Sequence, residues 1–155
     1  MPTLRALSAD DPVSHELLTL YFARRAEGFP GGGYRTVFPD PAAFEEPNGV
    51  FLVLFDDGEA IGCGGIRRIP DGPAGVRYEL KHLFVRPEAR GSGGGRLLVT
   101  ELEERARAFG AAELVLDTHH SLEAAGSLYA RSGFIAIEPY NDNQNATRWY
   151  GKALA

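Results

Sequence analysis

Arg90-Gly91-Ser92-Gly93-Gly94-Gly95-Arg96 joins the apolar run Leu83-Phe84-Val85 to a segment patterned as a long amphipathic helix. Glycines allow close backbone approach to a ligand and conformations closed to other residues. Placed where a helix begins, they gather unpaired N–H groups at the positive end of the helix dipole. Arginines at both ends add full positive charge. The construction suits a phosphate or pyrophosphate, although a glycine-rich turn holding nothing has the same composition.

The loop chemistries are separable by residue. A triphosphate P-loop needs Lys followed by Ser or Thr after its last glycine, and here Arg96-Leu97 follows. A dinucleotide fingerprint needs a third glycine three positions after the second and an acid about twenty residues on. Arg96 occupies the third place, while Asp117 could imitate the acid.

The flanking segments separate these readings further. Val50–Phe55, Glu59–Ile69 and Val76–Val85 are rich in β-branched and aromatic residues. They are separated by the turn signals Asp56-Asp57-Gly58 and Pro70-Asp71-Gly72-Pro73, so an antiparallel sheet should precede the loop. A dinucleotide fold would instead place its first strand before the loop and join strands by helices. After the loop, Leu98, Leu102, Ala106 and Phe109 trace one helix face, with Gly110 as its stop. Glu101/Arg105 and Glu103/Arg107 read as i, i+4 pairs on its wet side. Leu114–Asp117 reads as a strand, Ser121–Ser132 as a helix ended by Gly133, and Phe134–Ile137 with Arg148–Ala153 as a closing strand pair.

Arg90-x-x-Gly93-x-Gly95 resembles the Arg/Gln-x-x-Gly-x-Gly/Ala signature of the GNAT superfamily of N-acetyltransferases. Glu79 through Arg90 and Leu128-Tyr129-Ala130-Arg131-Ser132-Gly133-Phe134 also resemble family landmarks, and the likeness runs from about Val50 to Leu154. The ending, Pro139-Tyr140-Asn141-Asp142-Asn143 through Trp149-Tyr150, is similar to a bacterial subgroup whose acceptors are mostly unassigned. The resemblance implies an α+β GNAT fold, a mixed and mostly antiparallel sheet with helices on both faces, V-shaped beside the loop. It implies acetyl-CoA as co-substrate. Leu83, Phe84 and Val85 would pair with the pantetheine arm and hold the oxyanion, and Arg90, Gly91, Ser92, Gly93, Gly94, Gly95 and Arg96 would hold the pyrophosphate. Two positions depart from the pattern: Leu122 replaces a frequent Asn, and His82 stands where a basic residue is common.

Composition bounds the rest. At 155 residues and 44% hydrophobic content the chain reads as one domain, 1–155. Sixteen basic and 21 acidic residues give a net charge of −5. That balance supplies no reason to propose nucleic acid and mildly favours a cationic acceptor. Cys63, the single cysteine, reads as a buried core thiol. The absence of a signal-like amino terminus and of any membrane-length apolar run leads to the expectation of a cytoplasmic protein without membrane contact. His82, His119 and His120 lack companion ligands at metal spacing, so no metal is expected. Exposed edge strands in this fold would admit a homodimer.

In the first fifty residues, Thr3–Leu7 suits an edge strand and Pro12–Ala26 a helix with Leu17, Leu18, Tyr21 and Phe22 on one face. Phe29–Arg35, with three glycines after a proline, is irregular. It is either a connector or an acceptor-side loop offering Tyr34 and Arg35 to substrate.

Acetyl transfer needs a neutral amine, and a lysine-like amine is neutral on the order of one part in a thousand at pH 7. Glu79 is the candidate general base, acting through a water; the competing reading is a surface residue paired with Arg77 or Lys81. Tyr129 is the candidate general acid for the departing sulfur; the competing reading is a core tyrosine with its hydroxyl satisfied elsewhere. The expected activity is transfer to a primary amine of a small molecule. Alternatives are an acetyl-CoA-sensing protein of the same fold and a transferase acting on protein amines. For an acceptor bearing a carboxylate, Arg35, Arg67 and Arg148 are candidate clamps.

Overall fold

A computed structural model describes residues 1–154. Seven strands form one sheet in the order β1-β2-β3-β4-β5-β7-β6. Their ranges are β1 Thr3–Ala6, β2 Gly49–Asp56, β3 Glu59–Gly72, β4 Gly75–Val85, β5 Glu113–Thr118, β6 Ile135–Ala136 and β7 Arg148–Ala153. The helices are α1 Pro12–Gly28, α2 Gly94–Ala108 and α3 Glu123–Arg131. Only β4 and β5 run parallel, because α2 crosses between them where the other neighbours are antiparallel. The sheet is therefore mixed and mostly antiparallel, as the sequence leads one to expect.

Strand β2 shows how the sheet separates two cores. Val50, Leu52 and Leu54 join Leu98, Val99, Leu102 and Ala106 of α2 in one cluster. Phe51 and Val53 join Leu17, Leu18 and Phe22 of α1 in the other. Successive side chains point to opposite faces, so a strand covered on both sides reads as an unbroken apolar run. Tyr129 of α3 belongs to the α2-side cluster. One helix thus covers one face and two cover the other.

Glu103 departs from the expected wet helix face. Only 9% exposed, it pairs with Lys152 of β7 at 2.8 Å as well as with Arg107 at 2.7 Å. The i, i+4 pattern does not reveal this third partner, which tacks α2 to the last strand. The Glu101–Arg105 pair forms at 2.9 Å on the outer side.

Two irregularities open the sheet. Pairing of β4 with β5 covers only Arg77–Glu79 against Glu113–Val115. The rest of β4, Leu80–Val85, has no partner on that side. Within β4 the register with β3 slips between Cys63 and Gly65, so that His82 and Leu83 together oppose Gly64. His82 takes a left-handed backbone, φ 60°. A bulge of this kind bends the strand and increases its twist, which carries β4 away from β5. Cys63 is fully buried at the bulge, its Sγ 3.5 Å from the His82 carbonyl oxygen.

Candidate active site

The glycine loop closes on the helix it precedes. Gly93 caps α2 in the left-handed region, φ 85° and ψ 8°, and the first intrahelical bond runs from Leu97 N–H to its carbonyl at 3.0 Å. The N–H groups of Gly94, Gly95 and Arg96 therefore have no intrahelical partner. Gly94 and Gly95 serve packing: a Cβ at Gly94 would lie 2.8 Å from Leu54 Cδ2, and one at Gly95 3.1 Å from Leu128 Cδ2. The start of α2 thereby lies against Leu128 of α3. Ser92 Oγ donates to the Ala89 carbonyl at 2.7 Å, and Arg90 Nε folds back onto the Val85 carbonyl at 3.1 Å.

Two depressions flank this region. One, about 500 Å³, borders Arg90–Ser92 but is ringed by Asp56, Asp57, Glu59 and Glu88, a poor setting for a phosphate. The other, about 530 Å³, opens where β4 leaves β5. Leu80–Leu83 form one side, Asp117 and Thr118 of β5 and Leu122, Ala125 and Tyr129 of the α3 region the other. Tyr21, Phe22 and Arg25 of α1, the 34–40 segment and the 141–146 segment close the far end. Of the expected site residues, Tyr34, Arg35, Leu83 and Tyr129 line this second cleft, while Glu79, Phe84, Val85 and the loop Arg90–Arg96 do not.

Tyr129 lines it while only 6% exposed. Its ring packs on Phe134 and Tyr150, and its hydroxyl makes no hydrogen bond among the described residues. Burial pushes the phenol's pKa well above its usual range, so it keeps its proton at neutral pH. Tyr34 and Arg35 both line the cleft. Burial likewise raises Tyr34, to about 12.

Glu79 lies behind the cleft wall, 1% exposed. Its Oε1 meets Arg67 Nη2 at 2.9 Å and Nε at 3.0 Å, with Lys81 Nζ at 3.9 Å. Its Oε2 accepts from the Tyr140 hydroxyl at 2.6 Å. Both oxygens are thus engaged, and Arg67 and Lys81 present the cationic side of the cluster to the cleft. Arg77 does not pair with it; its guanidinium lies over the Tyr140 ring at 5.4 Å. The carboxylate is a buried junction, not a surface residue.

His82 also lines the cleft, packed edge-on to Tyr21 and Phe22 and close to Phe44. Burial first, then Lys81 and Arg67, lower its pKa to about 3, which leaves the imidazole neutral at physiological pH. His119 and His120 stack on each other at 4.4 Å, and His119 Nδ1 is 2.7 Å from Ser121 Oγ. Among the described residues no three His, Cys, Asp or Glu side chains are grouped to hold a metal, and no helix is long and apolar enough to cross a membrane.

Sequence reasoning missed two features. Asn141, Asn143 and Asn145 form a polar ladder. Asn141 and Asn143 donate to Asp117 Oδ2 at 2.7 and 3.1 Å, Trp149 Nε1 donates to Asn141 Oδ1 at 2.9 Å, and Asn145 exchanges bonds with the Arg35 backbone at 2.8 and 3.1 Å. The alternation Asn-x-Asn-x-Asn was its visible signal. Arg25 lies at i+7 from Leu18 and i+3 from Phe22, on the apolar face of α1, a placement that marks a buried cation. Of the three candidate clamps, Arg67 is committed to Glu79 and the exposed Arg148 is not among the residues lining the cleft.

A family model described as "Acetyltransferase (GNAT) family" matches residues 14–134. An uncharacterized N-acetyltransferase of Schizosaccharomyces pombe is 42% identical over 98 residues, covering 63% of this chain and 58% of that one. An IAA acetyltransferase of Azospirillum brasilense is 36% identical over 101 residues, 65% of this chain and 64% of that protein. The matched segments thus span less than two-thirds of these relatives. Among solved structures, an acetyltransferase of GNAT family from Staphylococcus aureus superposes with a TM-score of 0.79 at 19% identity, covering 99% of this chain and 100% of that one. An acetyltransferase from Streptococcus agalactiae gives 0.75 at 20% identity, covering 99% and 98%.

Proposed function

Since the chain belongs to the acetyltransferase (GNAT) family, we propose that it is a single-domain acyl-CoA-dependent N-acyltransferase with acetyl-CoA as donor and a small primary amine as acceptor. The observation that carries this reading is the parting of β4 from β5 beside the bulge at His82–Leu83, next to a glycine-capped helix start. The parting leaves Leu83, Phe84 and Val85 with an unpaired edge on which an extended arm can form strand-like hydrogen bonds. The free N–H groups of Gly94, Gly95 and Arg96 suit a pyrophosphate, with Gly91, Ser92 and Gly93 shaping the turn and Arg90 adding charge. Bound there, acyl-CoA supplies the activated acyl group.

The remaining work falls to side chains. Tyr129 holds the proton that the departing sulfur needs, and its unpartnered hydroxyl in the cleft supports that role. An N–H of Leu83–Val85 polarises the acyl oxygen. Glu79 takes the amine's proton through water, since it stands behind Lys81 and does not border the cleft. Tyr34 and Arg35 contact the acceptor. A second reading, an acyl-CoA-binding protein with little transfer, draws on the engagement of both Glu79 oxygens.

A thermal-shift titration with acetyl-CoA, with NAD and ATP in parallel, tests the donor assignment. Ligand at a hundredfold over its Kd adds about 2.7 kcal/mol, roughly 5–10 °C for a domain of this size. A shift with acetyl-CoA alone is expected; none, or a larger one with NAD, removes the transferase reading.

A further inference from the structure

Arg25 is 9% exposed, yet no carboxylate lies within ion-pair distance of it among the described residues. Its Nε is buried without a hydrogen-bond partner. Nη2 reaches the Asn145 carbonyl at a long 3.4 Å, and the guanidinium lies over the Tyr34 ring at 4.8 Å with the neutral Tyr21 and Tyr34 hydroxyls near it. A buried cation without a counter-charge is unfavourable. The nearby carboxylates turn one oxygen each to neutral donors rather than to Arg25: Asp117 Oδ2 takes the Asn141 and Asn143 amides, and Asp40 Oδ1 caps the turn at Ala42. Asp142 is exposed.

The cleft's positive charges fall into two groups. Arg67 and Lys81 stand near the parting of β4 and β5 and share the Glu79 carboxylate. Arg25 and Arg35 stand at the opposite end, both tied to Asn145, and among the described residues neither makes an ion pair, although Asp40, Asp117 and Asp142 line the same end. The rings of Tyr21, Phe22, Tyr34 and Phe38 line the cleft beside Arg25, and Tyr21 and Phe22 also reach His82 of β4.

We propose that the Arg25 end of the cleft is a carboxylate subsite, and that the acceptor is a primary amine that also carries a carboxylate and an apolar body, as an aromatic or branched amino acid does. This deepens the transferase reading and rests on it for the amine's role. A guanidinium held by ring stacking on one side keeps its planar donor edge for a carboxylate. The asparagine ladder holds that edge in place by fixing Asn145.

The test is binding to the intact protein, followed by thermal shift and calorimetry, with and without saturating acetyl-CoA. The probes are phenylalanine against phenethylamine and leucine against 3-methylbutylamine. We expect at least one amino acid to bind the native protein about tenfold or more tightly than its decarboxylated partner. Arg25→Gln should bring the two within about twofold, and Arg25→Lys should fall between. Equal binding within both pairs, tighter binding of the bare amines, no binding of any probe, or a preference that survives Arg25→Gln overturns the proposal. The native comparison decides even where a variant does not fold. Loss of the acetyl-CoA shift with the amino-acid preference intact would sink the transferase reading and leave the subsite standing; the converse sinks the subsite alone.

Discussion

The proposed donor and acceptor sites are built from different materials. The donor site as proposed is a continuous run, Leu83 to Arg96, offering largely backbone groups: an unpaired strand edge and the free N–H groups of a helix start. The acceptor half is assembled from side chains of α1, the 34–40 segment, β5 and the 141–146 segment, more than a hundred residues apart along the chain at the Arg35–Asn145 contact. Backbone recognition serves any ligand with the same arm, whereas side-chain recognition is rebuilt residue by residue. A family can therefore share its donor site and differ in what it acetylates.

The largest expected effect lies where the halves meet. Tyr129→Phe should lower kcat about a hundredfold while leaving acetyl-CoA affinity within about twofold; unchanged turnover would return Tyr129 to the role of a core residue. Glu79→Gln removes the charge facing Arg67 and Lys81. Turnover should fall about tenfold or more and recover as pH rises and the free amine becomes neutral. The fold should lose about 2 kcal/mol, a value discounted because both cations reach solvent. A stability loss with normal turnover would make Glu79 purely structural.

Next comes a pH effect confined to the bulge. Burial lowers the folded-state pKa of His82 to about 3, below the 6.5 of an unfolded histidine. Between those values the unfolded chain binds more protons, so stability is present above about pH 6.5 and is lost as pH falls toward 3. From pH 7 to pH 5 the loss should be about 2 kcal/mol. His82→Asn, which tolerates the left-handed backbone, should abolish it in urea titrations; parallel curves for the two proteins would show that His82 charges freely when folded.

The smallest expected effect probes the backbone claim itself. Gly93→Val strains the left-handed cap by about 1–2 kcal/mol and should weaken acetyl-CoA binding about tenfold. Arg90→Gln, whose Nε is bound to the Val85 carbonyl, should change it less than threefold. Equal losses would mean that side-chain charge holds the pyrophosphate, and the contrast between the halves would fail on the donor side.

The same contrast explains what was legible in the chain. Elements with strong periodicity, such as Val50–Phe55 and the face through Leu98, Leu102 and Ala106, are evident from the order of residues, as is the glycine loop. Glu79 was visible as a residue but not in its setting, because Arg67 meets it across a strand pair and Tyr140 arrives from a loop 61 positions away. Glu103 misled for a similar reason, with the i, i+4 partner plain and Lys152 hidden.

Local sequence determined the strands, the helices, their order and the glycine loop, because hydrophobic period, turn residues and glycine conformations act over a few neighbouring positions. Tertiary structure alone decided that β4 leaves β5 after Glu79, that His82 occupies a bulge, and that Arg25 meets Asn145 and no ion-pair partner. Those outcomes depend on which distant segments pack together and what charge each brings, and no local pattern along the chain encodes that sum.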